Sequence, residues 1–223
     1  MVILTVRDER LHTLVIERGN PPFRGVAALP GGFLRAAEDP LEAARRELRE
    51  ETGLDASALH LEQLPVFGAP DRDPRGRIVS VPYLAIAPDL PVPTAGSDAR
   101  HAHWAAVADL ARAMLAFDHN DILDAGVERA RARLEHTTVA VAFCVEPFTM
   151  GQLRMVYEAV WGEPVDPRNF SRKVINTAGF VVPTGQRRVG DAGRPAVLYR
   201  RGPATRLHPP MLRADLGQMV GQP

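Results

Sequence analysis

Apolar and polar residues alternate through Val2–Arg7 and again through 12–17, which predicts two strands separated by a charged turn at Arg7, Asp8, Glu9 and Arg10. Further β-rich stretches predict strands at 61–67 and 77–87. The pattern changes period at residue 39. Asp39-Pro40-Leu41-Glu42 has the form of a helix start, with Asp as N-cap, Pro at the first helical position and Glu at N3. Gly53 suits the left-handed residue that ends this helix. Leu41, Ala44 and Leu48 form its apolar face. Helices are also expected at 107–116 and 119–135. Strands layered between helices predict an α/β/α sandwich for residues 1–136.

A second patterned region begins near Phe148. Thr149-x-x-Gln152 is a capping box that opens a helix through Trp161, with Leu153, Val156, Tyr157 and Val160 facing inward and Gly162 closing it. Asp166-Pro167 opens another helix. Phe170 and Val174 face its core, with Ile175 as a third candidate, and Arg168, Asn169, Ser171, Arg172 and Lys173 are left outside. A short strand at 179–183, a basic Gly-rich turn at 184–194 and a returning strand at 196–200 follow. Helix, basic helix and basic hairpin describe a winged helix-turn-helix over 137–201. In that reading Arg168, Asn169, Ser171, Arg172 and Lys173 meet the major groove, and Arg187, Arg188 and Arg194 on the wing meet backbone or minor groove. A small α+β domain with a solvated basic face is the alternative. Residues 202–223 are rich in Pro and Gly and read as a mobile tail without a role.

Charge sharpens the division. The chain is neutral overall, but residues 1–136 carry −5 and 137–223 carry +5. Hydrophobic residues make up 45% of the 223, enough for a core in each part. No apolar run approaches the roughly 18 residues of a membrane span, and the charged N-terminus does not read as a signal peptide. Cys144 is the single cysteine, which excludes an internal disulfide and fits a reducing cytoplasm.

The chemistry is concentrated at 32–54. Gly32 is followed after five residues by Glu38, and after seven more by Arg46-Glu47-Leu48-Arg49-Glu50-Glu51-Thr52-Gly53-Leu54. Glu47, Glu50 and Glu51 share one helical face and repel one another unless a cation neutralises them. Their hard oxygens suit Mg²⁺ or Mn²⁺, which would hold a diphosphate and activate water. Glu50, Glu51 and Arg46 are therefore the candidate catalytic residues, with Arg46 orienting carboxylates. Glu47, Glu50, Glu51 and the Gly31 carbonyl are the candidate metal ligands. The segment matches the Nudix box at every defined position. The loop at 67–77 reads equally as an ordinary polar hairpin or as a phosphate site, so Arg72, Arg75 and Arg77 join Gly32 as candidate ligand-binding residues. His101, His103 and His119 could be ligand contacts, but a surface or capping histidine is the favoured reading of each.

Box and basic C-terminal region together resemble the Nudix-related transcriptional regulators of NAD metabolism, the NrtR family. The resemblance runs over about residues 5–201. It rests also on Leu64–Leu84, on Ala116-Phe117-Asp118-His119 with Ile122-Leu123, and on Phe148–Arg200. It implies a homodimer that binds operator double-stranded DNA, represses NAD-biosynthesis genes, and takes ADP-ribose or a related NAD derivative in its Nudix domain. Some members have a degraded box and no hydrolysis. In this chain Arg100, His101 and His103 stand where related sequences often carry an acid before the tryptophan, leaving Asp98 nearby, so hydrolysis is left open. The alternative function is a Mg²⁺-dependent ADP-ribose pyrophosphatase.

Overall fold

The computed structural model describes residues 1–52, 59–88, 99–189 and 195–214, with 51, 52 and 99–101 described by backbone alone. The chain forms two compact units. One comprises Met1–Arg7 with Leu11–Arg129, and the other takes in Asp8–Arg10 and the chain from Ala130 onward. No helix among the described residues is long and apolar enough to cross a membrane.

The first unit is built on a sheet ordered β3-β2-β1-β5-β4, with β6 also paired to β2. Its strands are β1 (Val2–Arg7), β2 (Arg10–Arg18), β3 (Ala27–Ala28), β4 (His60–Gln63), β5 (Tyr83–Ile86) and β6 (Ala99–Ala106). β1 and β5 run parallel, Val2 opposite Leu84, and the pairs β4–β5 and β2–β6 are antiparallel. Helix α1 (Pro40–Thr52) has the anticipated start. The Glu42 N–H donates to Asp39 Oδ1 at 2.8 Å, and the Asp39 N–H to Glu42 Oε2 at 2.9 Å. Its buried face is Ala43, Ala44 and Leu48, and Leu48 joins Ile3, Leu14 and Ala85 in the core. Gly53 lies outside the described residues.

Several expected elements are shorter. The strand expected at 77–87 is confined to Tyr83–Ile86, with only Ser80 bridging back to Phe67. Pro82 has no N–H to give a ladder. The strand expected at 61–67 stops at Gln63. The helix expected at 107–116 is the single turn α2 (Val107–Leu110). There the Asn120 side chain takes over the backbone: it accepts from the Leu115 N–H at 2.9 Å and donates to the Ala113 carbonyl at 3.0 Å. β6 was not anticipated, because ARHAHWAA lacks β-branched residues. Ala102 and Trp104 nevertheless pack inward against the Ile3–Leu48 core. α3 (His119–His136) forms where expected.

The second unit holds a 3-10 helix (Thr138–Phe143), β7 (Phe148–Thr149), α4 (Met150–Trp161), α5 (Pro167–Asn176), β8 (Val181–Arg188) and β9 (Ala196–Arg201). β9 is the centre of a three-stranded antiparallel sheet between β7 and β8. Tyr157, Trp161, Phe148, Phe170 and Phe180 fill the core, with Tyr157 edge-on to Trp161 at 4.8 Å and to Phe170 at 5.1 Å. The Tyr157 hydroxyl is satisfied by the Leu134 carbonyl at 3.2 Å. β8 continues to Arg188, five residues past its expected end, accommodated by a register shift between Pro183 and Arg187. Ile175 is not in the core: its side chain is 59% exposed. The segment from 202 to 214 is docked rather than trailing. Leu207 and Met211 are buried, and their N–H groups donate to the carbonyls of His136 and Glu135 at 2.9 and 2.8 Å.

Candidate functional site

The capped start of α1 fixes the helical phase that turns Arg46, Glu47 and Glu50 toward Glu38. The Arg46 guanidinium holds all three carboxylates. Nε donates to Glu38 Oε1 at 2.7 Å and Nη2 to Glu38 Oε2 at 2.9 Å. Nη1 donates to Glu47 Oε1 at 2.5 Å and to Glu50 Oε2 at 3.0 Å, and Nη2 reaches the Phe33 carbonyl at 3.3 Å. This planar fork suits Arg and not Lys. The Arg46 hydrogen bonds pull the Glu38 carboxyl down to about 2, and the same partners raise Arg46. Glu38, Arg46 and Glu47 are 13% exposed, Glu50 51%.

Glycine at 32 has a steric cause. A Cβ there would stand 2.2 Å from Glu47 Oε1, so any side chain would push that carboxylate off its Arg46 bond. Gly31, Gly32, Glu47 and Glu50 line a cavity of about 800 Å³, in the usual size range for a small-ligand site. Glu47 and Glu50 offer it hard carboxylate oxygens, the donor type that Mg²⁺ or Mn²⁺ takes, although the described residues alone bring no three acidic, His or Cys donors together. The Glu51 side chain lies outside the described residues.

The 67–77 loop divides its arginines. Arg72 lines the cavity but is committed to Asp118, with Nε–Oδ2 at 2.8 Å and Nη2–Oδ1 at 2.5 Å, and is only 5% exposed. Arg75 also lines it. Arg75 forks onto Asp73 at 3.0 and 2.6 Å, which holds that buried carboxyl low, and lies over the rings of Phe33 and Phe117. Arg77 instead secures the loop, donating to the Gly68 carbonyl at 2.6 Å, and is not a lining residue.

Three cavity residues, Arg18, Phe33 and Phe117, are not among the ligand contacts expected from the sequence. Arg18 stacks 4.7 Å from the Phe117 centroid, Phe33 is 65% exposed, and Phe117 holds a positive φ of 59°. His119 lines the cavity too, which favours the alternative reading of this histidine over the surface one. Its Nδ1 accepts the Leu29 N–H at 2.9 Å, so the neutral ring carries its proton on Nε2. Burial, then the nearby N-terminal ammonium, lowers it to about 3. The run Phe117-Asp118-His119 is visible in the sequence, but no periodicity marks residues at the start of α3 as cavity-facing. His103 is exposed on β6. His101 has no described side chain, and Asp98 lies outside the described residues.

In the second unit, α5 starts as expected: Asp166 Oδ1 accepts the Asn169 N–H at 2.7 Å. Phe170 and Val174 are buried, Arg168 and Arg172 exposed, and Asn169, Ser171 and Lys173 half-buried. Arg172 Nη2 donates to Asn169 Oδ1 at 2.9 Å, while the Ser171 hydroxyl turns back to the Pro167 carbonyl at 2.7 Å. On β8, Arg187 is exposed and Arg188 reaches Gln152 Oε1 at 3.3 Å. Arg194 lies outside the described residues.

Comparison with known proteins assigns both units. Residues 1–126 match the NUDIX domain model and residues 141–201 the NrtR DNA-binding winged helix domain model. The chain is 33% identical over 202 residues to the ADPR responsive transcriptional repressor NtrR of Acinetobacter baylyi, covering 90% of this chain and 79% of that protein. It superposes on the crystal structure of Shewanella oneidensis NrtR complexed with a 27mer DNA with a TM-score of 0.78 and 31% identity, covering 91% of each chain. The NUDIX domain of the same NrtR, in cocrystal with ADP ribose, matches with a TM-score of 0.51 and 32% identity, covering 58% of this chain and 84% of that one. A Nudix fold with its carboxylate clamp, followed by an NrtR winged helix, makes this chain a member of the NrtR family of Nudix-related transcriptional regulators.

Proposed function

We propose that the protein represses genes of NAD biosynthesis, binds their operator through the winged helix, and responds to ADP-ribose or a related NAD derivative held in the Nudix cavity. The observation that carries this reading is α5. Arg168 and Arg172 stand exposed over the buried Phe170 and Val174, on a chain whose other unit carries a cavity of about 800 Å³. Hydrolysis needs no basic recognition helix. In this reading Arg168, Asn169, Arg172 and Lys173 face base edges and phosphates, and Arg187, Arg188 and Arg194 face backbone. Binding as a homodimer to a two-fold operator suits a helix-turn-helix protein.

Glu47, Glu50 and Glu51, with the Gly31 carbonyl, would hold Mg²⁺ or Mn²⁺, which when bound supplies charge neutralisation for a diphosphate and a more acidic water. The chain's own residues do the rest. Arg46 fixes the carboxylates, Gly32 leaves them room, and Arg75 with Phe33 and Phe117 offers planar surfaces. His119 presents an Nε2–H donor.

A second reading, ADP-ribose pyrophosphatase, is favoured by the intact Glu38–Arg46–Glu47–Glu50 network. One experiment tests both: fluorescence anisotropy of DNA from upstream of the NAD-biosynthesis operon, with and without ADP-ribose and Mg²⁺, with product assayed in the same tubes. Specific binding altered by ADP-ribose supports the regulator. Rapid cleavage without specific binding supports the enzyme.

A further inference from the structure

Arg35 falls among the five unspecified positions between Gly32 and Glu38, so the box pattern says nothing about it. Yet its Nη2 lies 3.2 Å from Glu50 Oε1, while Arg46 holds the other oxygen of Glu50 at 3.0 Å. Two guanidinium groups therefore share one candidate metal ligand, and they are held very differently. Arg46 is 13% exposed and tied to three carboxylates and a carbonyl. The Arg35 side chain is 64% exposed and has the Glu50 oxygen as its bonded partner. An exposed, single-pronged pair is weak and screened by salt. A divalent cation competing for Glu50 meets an anchored cation on one side and a loosely held one on the other, so Arg35 is the group that yields.

It would not go far. The Arg35 backbone N–H donates to Glu38 Oε2 at 3.2 Å, and Arg35 lines the cavity beside Glu47 and Glu50. Once parted from Glu50, the guanidinium stays at the cavity wall with its donors unspent, close to where the carboxylate-bound cation would draw a diphosphate. We propose that Arg35 is an exchangeable counter-ion. It neutralises Glu50 when the cavity is empty and turns to the ligand's phosphates when cation and nucleotide enter. This rests on the ADP-ribose reading above and adds a ligand-binding residue to it.

The exchange predicts opposite effects of one substitution in the full-length protein. Arg35→Gln removes a competitor of the cation, so Mn²⁺ alone, followed by the electron paramagnetic resonance of free Mn²⁺, binds tighter by about threefold. ADP-ribose with Mn²⁺, measured by calorimetry, binds weaker by about tenfold, the size of one charge-assisted hydrogen bond. Arg35→Lys, keeping the charge, restores much of the ADP-ribose affinity. Any other pairing overturns the assignment: both affinities unchanged, both weakened, or only one moved. Wild-type protein that does not bind ADP-ribose at all would instead defeat the functional reading, and the two failures are distinguished in the same titrations.

Discussion

Arg46 and Glu38, eight residues apart, meet through two parallel hydrogen bonds at 2.7 and 2.9 Å, so the carboxylate before α1 is locked to the middle of the helix. Arg46 spends its remaining nitrogen, Nη1, on Glu47 and Glu50. The spacing of the box thus has a mechanical origin. Glu38 anchors the arginine, and the arginine presents the two carboxylates that face the cavity.

Arg46→Lys should release Glu38. A lysine ammonium is a point charge and cannot match both carboxylate oxygens while also spanning Glu47 and Glu50. The Glu38 carboxyl, held at about 2, should climb toward the ordinary 4.5. Carbon-detected NMR titration of the side-chain carboxyl reads this directly. A midpoint still near 2 in the variant would show that Arg46 is not what lowers it.

Asp118→Asn tests the loop's buried pair. It leaves Arg72, nearly inaccessible to water, with a neutral partner and an uncompensated charge. Breaking such a pair costs about 3–5 kcal/mol. Urea denaturation should show a loss of that size, and the double variant Arg72→Met/Asp118→Leu should recover part of it. A loss below about 1 kcal/mol for Asp118→Asn would mean that Arg72 finds water or another acceptor.

How much of this was legible depends on whether a residue acts within its own helix or across the chain. The capping pairs Asp39–Glu42, Thr149–Gln152 and Asp166–Asn169 are local, and all were readable from residue type at a fixed offset. So was the inward face of Phe170 and Val174. Arg72–Asp118 and Leu29–His119 join residues 46 and 90 apart, and nothing near either position announces the partner. Asn120 binds the backbone at Ala113 and Leu115, beyond α2, and in β6 Ala102 and Trp104 pack on a core built elsewhere. Ile175 is apolar but exposed, because it follows Val174 on a helix whose inward face ends there.

His119 should make stability fall with acid in its own window. Its folded value is about 3 and its free value 6.5, so below 6.5 the unfolded chain takes up the proton first. The stabilisation is complete above 6.5 and is lost as pH falls toward 3, at no more than about 1.4 kcal/mol per pH unit. Subtracting the pH profile of His119→Gln from that of the wild type isolates this contribution. It is read most cleanly above about pH 5, before the carboxyls titrate in the unfolded chain. Parallel profiles would contradict a neutral, buried His119.

Arg172 and Arg187 should weaken DNA binding in different ways. Arg172 is exposed on α5 and steadied by Asn169 Oδ1 at 2.9 Å, a geometry suited to a base edge. Arg187 is exposed on β8, where a wing meets phosphates. Arg172→Ala should cost about 1–3 kcal/mol on the operator and much less on unrelated DNA. Arg187→Ala should weaken both alike and reduce the slope of log affinity against log salt by about 1. Anisotropy titrations on both DNAs across a salt series separate the two. Equal losses on operator and unrelated DNA for Arg172→Ala would move that side chain from base edges to the phosphate backbone.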